Sequence, residues 1–478
     1  MRAPDAHSND GPALPLVDRE GVLAHAAALI LAAWQSFDHA RPGQPLPDAD
    51  QVAQLGRPLP LEPSDPRAAL DQAATVLDAS LAQARPRYFA YIGASGLEIG
   101  VLGDSLAASH DVNVAVSAGA ADLLEAQTIA WVGQFVGFDE HAVGVMSESG
   151  TISNLTALTA AREAALPGVR HAGTAGAAMA LYCSAEAHYS VRRAAEVLGI
   201  GGANVRAIQI DASRRIDARA CAQAIDADLA AGVVPIAVVA TSGTTLTGAV
   251  DDLDALADVC GARGTWLHVD GAYGLPAAAT QTAGPSFHGL ARAQSATVDA
   301  HKWLYVPKPC SVLLMHDVGA LERAFAHEES YMLHGDRPLH AVDRTLEYSR
   351  PLRALKLWLA FTVHGADAIR AAIERNLGEA ALLAQLLRAD DRFELLVDPP
   401  ALSAVCFRHL PRRGADVDAH NAALADAVSE DGRVMLAAAH VDGRTCLRAC
   451  FVNHRTTEAD VRAVPEVVGD VAARIESA

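Results

Sequence analysis

Between residues 121 and 317 the chain alternates between stretches with helical spacing of apolar residues and short runs dominated by apolar residues. Helical spacing marks 121–138, 153–166 and 190–200. The short runs lie at 179–184, 205–210, 236–242, 266–272, 295–299 and 311–317. Because strands covered on both faces lose the alternation of apolar and polar residues, this pattern predicts a mostly parallel sheet between two layers of helices.

The two ends of the chain have a different texture. A helical segment at 17–38 is followed by a proline-rich stretch at 41–68, which predicts an extended connector able to pack on a partner subunit. Beyond about 365 helical segments alternate with apolar runs at 405–410 and 445–453. We therefore predict three regions: an N-terminal helical arm and linker that wraps a dimer at 1–85, a large domain at 86–364 and a small α+β domain at 365–478.

Composition narrows the classes of function. The 478 residues include 38 Lys and Arg against 57 Asp and Glu, a formal charge of −19, and no basic run, which disfavours nucleic acid or a membrane as partner. No apolar stretch reaches the length of a bilayer span, and the first residues lack the blocks of a signal peptide. The seven cysteines are scattered, without the spacing of a disulfide framework or zinc site. We expect a reduced, cytoplasmic protein that acts on a small molecule.

Polar residues follow the apolar runs, at the sheet edge where ligands bind in this type of fold. They are Thr241 with the next four residues, Asp270, Asp299 with His301 and Lys302, and His188. Lys302 lies in a connection between two predicted strands, beside Trp303. Desolvation there predicts a lowered pKa for Lys302 and more of the neutral amine that forms Schiff bases. A buried lysine paired with an acid is the structural alternative.

Each of the other features also has two interpretations. Ser149, Gly150 and Thr151 precede a predicted helix, whose free N–H groups favour a phosphate but also occur at any capped helix. Asp270 ends a buried strand, where it would pair with a protonated pyridine nitrogen, or else cap the next loop or pair with an arginine. His188 would stack on a ring and move a proton, or form a local hydrogen bond. The Thr241 loop would bind a ring or phosphate, or be a plain turn.

Taken together, the features indicate a phosphorylated aromatic aldehyde held by a lysine. Seven stretches support this interpretation: PRYFAYIGASG (86–96), SESGTISNLTAL (147–158), AHYSVRRAAEVLG (187–199), ATSGTTLTGAVDDL (240–253), WLHVDGAYG (266–274), DAHKWL (299–304) and SRPLRALKLW (349–358). In these the chain resembles the pyridoxal-phosphate-dependent group II amino-acid decarboxylases, especially the aromatic-L-amino-acid decarboxylase type.

The resemblance implies an architecture, a cofactor and an assembly. The fold would be the fold-type I transferase (aspartate aminotransferase-like) α/β architecture, with a mostly parallel seven-stranded sheet. The cofactor would be pyridoxal 5'-phosphate (PLP), bound by the large domain at 86–364, and the substrate an L-amino acid. The protein would be an obligate homodimer with active sites at the subunit interface.

By matched position the resemblance also implies site residues. Lys302 would form the internal aldimine, Asp270 would pair with the pyridinium nitrogen, and His188 would stack on the ring. Ala272 would be the small residue under the ring, and Thr241 would support the ring from its loop. The residues implied at the phosphate are Gly150 and Thr151, with help from Asp299 and His301. Those favouring an apolar or aromatic substrate are Tyr91, Phe89 and Ile92.

The catalytic loop departs from the family pattern. In the family this loop usually carries a tyrosine that protonates the carbanion, but here the centre, 335–345, contains none. Tyr331 and Tyr348 flank it, and His340 is an alternative proton donor. A carbanion that is not promptly protonated reacts with O₂ and gives an aldehyde, ammonia and peroxide. We therefore predict decarboxylation to the amine and CO₂, with decarboxylation-dependent oxidative deamination, aminotransferase or lyase chemistry, and a non-catalytic binding protein of the same fold as alternatives.

Overall fold

The structure is a computed structural model that describes residues 16–39, 47–81, 83–93, 95–327, 340–412 and 416–477. The described part of the chain divides into two compact units. Apart from a short stretch near residue 40, the first unit ends before Gln83 and the second runs from Gln83 to the end of the chain.

The first unit contains three helices, α1 (Arg19–Phe37), α2 (Ala49–Leu55) and α3 (Pro66–Asp78). The helix expected at 17–38 is confirmed as α1. The extended connector expected at 41–68 is wrong in part, because two helices begin inside it. Asp48 caps α2 in a reciprocal pair with Gln51, and Asp65 caps α3 ahead of a proline at its first position.

The second unit is built on a seven-stranded sheet, so the predicted number of strands is confirmed. Its strands are β1 (Val143–Ser147), β2 (Met179–Ser184), β3 (Val205–Ile208), β4 (Val234–Thr241), β5 (Trp266–Asp270), β6 (Ser295–Val298) and β7 (Ser311–Met315). Their order is β1-β7-β6-β5-β4-β2-β3. The neighbours from β3 to β6 are parallel, whereas β7 runs antiparallel to both β6 and β1.

Helices cover both faces of this sheet, as the pattern of apolar runs predicts. They are α4 (Glu98–His110), α5 (Ala120–Val136), α6 (Gly150–Ala165), α7 (Val169–Ala172), α8 (Ser190–Val197), α9 (Ala218–Ala230), α10 (Leu253–Arg263), α11 (Ala300–Trp303) and α12 (Gly319–Phe325). Consecutive residues of β4 enter different cores. Val238 belongs to the apolar core that includes Ile129 of α5, whereas Val239 belongs to the core that includes Leu158 of α6.

A second, antiparallel sheet follows the long helix α13 (Ala354–Arg388). Its order is β10-β11-β9-β8, formed by β8 (Phe393–Leu395), β9 (Ala404–His409), β10 (Ala437–Val441) and β11 (Arg444–Cys450). It packs with α14 (Val417–Asp431) and α15 (Glu458–Ser477) around a separate apolar core. Helix α13 is kinked at Gly365, whose φ of 78° suits a residue without Cβ. The domain bounds given above stay a prediction.

No helix in the described ranges combines the length and apolarity needed to cross a bilayer. All seven cysteines are buried and carry free thiols.

Candidate active site

The predicted site residues follow strands that end at the same edge of the large sheet. Thr241 is the last residue of β4 and Asp270 the last of β5, and the two are direct partners in the parallel ladder. Asp270 is in turn the partner of Thr297 in β6, two residues before Asp299. Because parallel strands end together, the chain brings residues far apart in sequence to one edge.

Lys302 lies in the short helix α11 and forms an ion pair at this edge. Its Nζ is 2.8 Å from Oδ2 of Asp299, and its side chain is 23% exposed. Burial alone lowers the pKa of Lys302, but the attraction of Asp299 and Asp270 outweighs burial and holds the pKa above its ordinary value. The predicted lowering of the pKa was therefore wrong: burial is the largest single influence on Nζ, but the hydrogen bond and charge of Asp299 together with the charge of Asp270 outweigh it. The alternative of a buried, paired lysine describes the ion pair seen here.

Asp299 is the acidic partner of this pair and is 2% exposed. Burial raises its pKa, but Lys302 and His301 together lower it below the ordinary value, so the carboxylate is ionised. Nδ1 of His301 donates to the carbonyl oxygen of Cys310 at 2.7 Å. Burial lowers the pKa of His301, which is therefore neutral at pH 7.

The first turn of α6 lies against the same residues. A Cβ added to Gly150 would lie 2.9 Å from Cβ of Ala272 and 2.9 Å from Oδ2 of Asp299, so a side chain has no room there. Ser149 caps the helix by accepting from the backbone N–H of Ile152 at 3.5 Å. The N–H groups of the first turn, including that of Thr151, therefore lie beside the ion pair of Lys302 and Asp299.

The loop after β4 presents two unpartnered polar atoms. Oγ1 of Thr241 and Oγ of Ser242 are buried and have no hydrogen-bond partner among the described residues. Gly243, with a φ of 99°, lets this loop approach Gly274, where an added Cβ would lie 2.9 Å from the Gly274 Cα. Buried hydroxyls without partners are rare in folded proteins, and these two lie beside Asp270 at the edge of the sheet.

Asp270 is held by two donors. Its Oδ2 accepts from Nδ2 of Asn154 at 2.8 Å, and its Oδ1 accepts from the backbone N–H of Ala272 at 3.2 Å. The same Nδ2 donates to Oγ of Ser190 at 3.0 Å. His188 Nδ1 lies 2.9 Å from that Oγ, so Asp270 and His188 belong to one network. Burial lowers the pKa of His188, and Lys302 lowers it further against the opposing effect of Asp270.

The three residues expected at the substrate are not brought together. Phe89 is fully buried in the small antiparallel-sheet core, with its ring centroid 5.0 Å from that of Phe451. Ile92 packs against the core of the large sheet. Tyr91 is 59% exposed. Arg448 of β11 holds this segment by donating to the carbonyl oxygen of Ala90 at 2.7 Å.

Sequence reasoning missed three residues of the network, namely Asn154, Ser190 and His268. Nε2 of His268 lies 2.9 Å from Oδ1 of Asn154. The sequence held a signal for two of them. Asn154 is a polar residue on the buried face of α6, and His268 interrupts the apolar strand β5, and buried polar residues of this kind need hydrogen-bond partners.

The catalytic loop is described only in part. Tyr331 and residues 335–339 lie outside the described residues. His340 caps the turn Ala341–Arg344, and its backbone N–H donates to Oδ2 of Asp343 at 3.0 Å. Tyr348 is 48% exposed.

Comparison with known proteins places this geometry in a family. Residues 50–410 match the pyridoxal-dependent decarboxylase conserved domain. The chain belongs to the pyridoxal-dependent decarboxylase family. A member of this family, the aromatic-L-amino-acid decarboxylase of Bacillus atrophaeus, is 32% identical over 386 residues, which are 79% of each chain. The L-2,4-diaminobutyrate decarboxylase of Rhizobium meliloti (strain 1021) is 32% identical over 363 residues, which are 75% of this chain and 71% of that protein.

Two solved structures share the fold. The crystal structure of Oryza sativa TDC with PLP and tryptamine matches with a TM-score of 0.89 at 26% identity, over 97% of this chain and 99% of that chain. Rhodiola rosea 4-hydroxyphenylacetaldehyde synthase matches with a TM-score of 0.86 at 25% identity, over 97% and 99% of the two chains. The protein is therefore a PLP-dependent amino-acid carboxy-lyase of fold-type I, and the expected family, fold class, enzyme class and cofactor are confirmed.

Proposed function

We propose that this decarboxylase converts an aromatic L-amino acid to its amine and CO₂ at a site built on Lys302. The observation that carries the proposal is the convergence of the Lys302–Asp299 pair, Asp270 and the first turn of α6 at one sheet edge. The aromatic preference is supported by the relative named aromatic-L-amino-acid decarboxylase and by the apolar character of the segment around Tyr91. The diaminobutyrate decarboxylase among the relatives represents the competing substrate class.

The residues of the edge fit the cofactor in charge and in shape. Lys302 would hold the aldehyde covalently, Asp270 would bind the protonated ring nitrogen, and His188 would stack on the ring. Ala272 would leave room for the ring, and the buried hydroxyl of Thr241 would gain a partner from it. When bound, PLP supplies an aldehyde for attachment and a ring that takes up the electron pair left by departing CO₂.

The phosphate would be held by donors and not by Asp299. The free N–H groups of Gly150 and Thr151, at the positive end of the 16-residue helix α6, favour an anion. The predicted help from His301 is not assigned, because this neutral imidazole donates its one ring hydrogen from Nδ1 to Cys310 and has none on Nε2 for a phosphate. An ionised carboxylate repels a phosphate dianion, so we assign Asp299 to Lys302, whose charge it balances at 2.8 Å.

The substrate pocket would be completed by a second copy of the chain. Tyr91 is 59% exposed in one chain, whereas a residue that lines a substrate pocket must be covered. A homodimer, with the arm at 1–85 wrapped on the partner, would supply the missing wall. Phe89 would then act by supporting Tyr91 and Ile92 from the core beneath them.

The test is to incubate the PLP-loaded enzyme with L-Trp, L-Phe, L-Tyr, L-Dopa, L-Glu and L-2,4-diaminobutyrate, and to identify products by mass spectrometry. We expect amine and CO₂ in equal amounts from the aromatic substrates, with kcat/KM at least about tenfold above the others. Higher kcat/KM for the acidic or basic amino acids would overturn the aromatic assignment.

Decarboxylation-dependent oxidative deamination is the second candidate. It is favoured by the tyrosine-free loop centre and by the structural match to an enzyme named 4-hydroxyphenylacetaldehyde synthase. In that reaction amino acid, O₂ and H₂O give aldehyde, CO₂, NH₃ and H₂O₂. Running the same incubations in air and without O₂ separates the two, because aldehyde and peroxide form only in air while the amine forms in both.

A further inference from the structure

A continuous chain of buried hydrogen bonds lies beneath the active site. Nε1 of Trp266 donates to Oγ of Ser295 at 2.9 Å, and that Oγ lies 2.8 Å from Nδ1 of His268. Nε2 of His268 is 2.9 Å from Oδ1 of Asn154. From Asn154 the chain divides, with Nδ2 donating both to Asp270 and to Ser190. Five of these six residues are buried, and the sixth, Trp266, is half-buried.

The chemistry of the end groups fixes the direction of each hydrogen bond. A carboxylate accepts only, so the amide of Asn154 must turn Nδ2 to Asp270 and Oδ1 to His268. Oδ1 in turn requires a hydrogen on Nε2 of His268. Burial lowers the pKa of His268 to about 4, so this imidazole is neutral and its Nδ1 accepts from the hydroxyl of Ser295. The indole N–H of Trp266 donates a hydrogen bond to the oxygen of that hydroxyl.

The other branch fixes the tautomer of His188. Because Ser190 accepts from Asn154, its hydroxyl hydrogen is available to Nδ1 of His188, at 2.9 Å. The backbone N–H of Ser190 also donates to this Nδ1, at 3.3 Å. A nitrogen that accepts two hydrogen bonds carries no proton, so the proton of neutral His188 is on Nε2.

We propose that Asn154 is a positioning residue that orients two groups through its single amide group: the carboxylate of Asp270 and the hydroxyl of Ser190, which donates to His188. This inference rests on the proposed roles of Asp270 and His188 toward the cofactor. The hydrogen bond from Nδ2 holds the carboxylate of Asp270 in one orientation, in which it would pair with the protonated ring nitrogen. The branch through Ser190 adds a hydroxyl donor to the backbone N–H that already donates to Nδ1 of His188, which leaves Nε2 to carry the proton for transfer.

The two branches are separated by a pair of variants, Asn154→Leu and Ser190→Ala. The leucine has a similar volume but donates to neither branch, whereas the alanine leaves the bond between Asn154 and Asp270 in place. Each protein is loaded with PLP carrying ¹⁵N in the ring, and the chemical shift of that nitrogen reports ring protonation independently of turnover. Circular dichroism and thermal melting confirm that each variant is folded, and Asn154→Ala replaces the leucine variant where it does not fold.

We expect the nitrogen shift to move toward the unprotonated value in Asn154→Leu and to match the wild type in Ser190→Ala. We expect kcat to fall by about tenfold or more in Asn154→Leu, which loses the hydrogen bond to Asp270, and by less in Ser190→Ala, in which the backbone N–H of Ser190 still donates to Nδ1 of His188. An unchanged nitrogen shift in folded Asn154→Leu would overturn the inference while leaving the proposed substrate intact. Conversely, a moved nitrogen shift in an enzyme that makes no aromatic amine would overturn the proposed substrate and leave the inference standing.

Discussion

An ion pair at the carboxyl end of β6 controls the charge of the nucleophilic amine. Asp299 holds the pKa of Lys302 above its ordinary value against the effect of burial. The amine must lose its proton to attack an aldehyde. We expect Asp299→Asn to lower the pKa of Lys302, so that the pH midpoint for cofactor association falls by about 1–3 units. Stopped-flow absorbance of PLP added to the apoenzyme across a pH series measures this midpoint.

The control for that experiment is Asp367→Asn, at a carboxylate that is 95% exposed on α13. It should leave the midpoint where the wild type has it. An unchanged midpoint in Asp299→Asn as well would mean that the amine is not the group whose ionisation limits association.

A second prediction at this scale concerns the identity of the attachment residue. We expect Lys302→Ala to abolish fixation of PLP by borohydride and to lower turnover by about 10³-fold or more. Lys308→Ala is the matched control, because Lys308 lies six positions away, is exposed and donates to Gln83. Peptide mapping after reduction identifies the modified lysine. Cofactor fixed on any lysine of the Lys302→Ala protein would contradict the assignment.

Residue positions and residue environments differ in how far the sequence predicts them. Asp270 and Lys302 were assigned to the edge because each follows an apolar run, and an apolar run marks a strand. The direction of the pKa shift at Lys302 was predicted wrongly, and the role of Asn154 was not predicted. Both depend on which side chains meet across the sheet, and Asn154 and Asp270 are separated by 116 positions in the chain.

At the scale of elements, strand β5 carries a buried histidine that makes the folded protein less stable in acid. His268 is fully buried with a pKa of about 4, whereas in the unfolded chain its pKa is about 6.5. The unfolded chain therefore binds the proton first, so the free energy of unfolding falls as the pH drops from about 6.5 toward 4. Between pH 7.5 and pH 5 the titration of this one group should lower the free energy of unfolding by about 2 kcal/mol.

The His268→Gln variant lacks the titrating group. Between pH 7.5 and pH 5 its free energy of unfolding should therefore fall by about 2 kcal/mol less than that of the wild type. Urea denaturation at the two pH values, at one protein concentration, measures the difference. His110→Gln, at an exposed position on α4, should keep the wild-type loss. Equal losses in His268→Gln and the wild type would show that this imidazole is not held neutral.

The segment before α13 is fixed by a buried arginine. The guanidinium of Arg350 is fully buried and donates to Oε1 of Glu125 at 3.0 Å and to the carbonyl oxygen of Met146 at 2.8 Å. We expect Arg350→Met to destabilise the protein by about 3–5 kcal/mol, because it leaves Glu125 buried without its partner. Adding Glu125→Gln should recover about 1–3 kcal/mol by removing the charge.

Denaturant titrations of the two single variants and the double variant give the coupling between them. The control is the exposed pair on α15, where Arg462→Met should change stability by no more than about 0.5 kcal/mol. A double variant less stable than Arg350→Met would mean that the charge of Glu125 is not the source of the destabilisation.

Elements were predicted where apolar periodicity was long or strands were continuous. The apolar runs gave β2, β4 and β5, but β1 was missed because it is short and contains Gly144. An added Cβ at Gly144 would lie 1.8 Å from the carbonyl oxygen of Leu313, so close packing on β7 explains a residue that weakens the strand pattern. The helix α2 was missed for a different reason. Prolines lie on both sides of it and favoured an extended connector over a helix capped at Asp48.

For the whole molecule, exposed leucines and valines mark the face where we propose that two copies meet. Helices α4 and α5 both pack against α13. Their outward side chains include Leu102 and Leu106, 47% and 53% exposed, and Leu123, 74% exposed. Because these side chains are about half to three quarters exposed, a partner subunit that covered them would recover about 1–2 kcal/mol each.

We expect the enzyme to have twice the chain mass of 49.8 kDa by light scattering. Leu106→Glu should raise the dissociation constant of the dimer by at least about tenfold, because two buried leucines become charges in one interface. Activity should fall with the dimer fraction as the protein is diluted, since Tyr91 would lose its cover. Leu229→Glu, on α9 at 45% exposure, is the matched control and should change neither mass nor activity. A fully active monomer, from either the wild type or Leu106→Glu, would mean that one chain forms the whole pocket and that Tyr91 lines it without cover from a partner subunit.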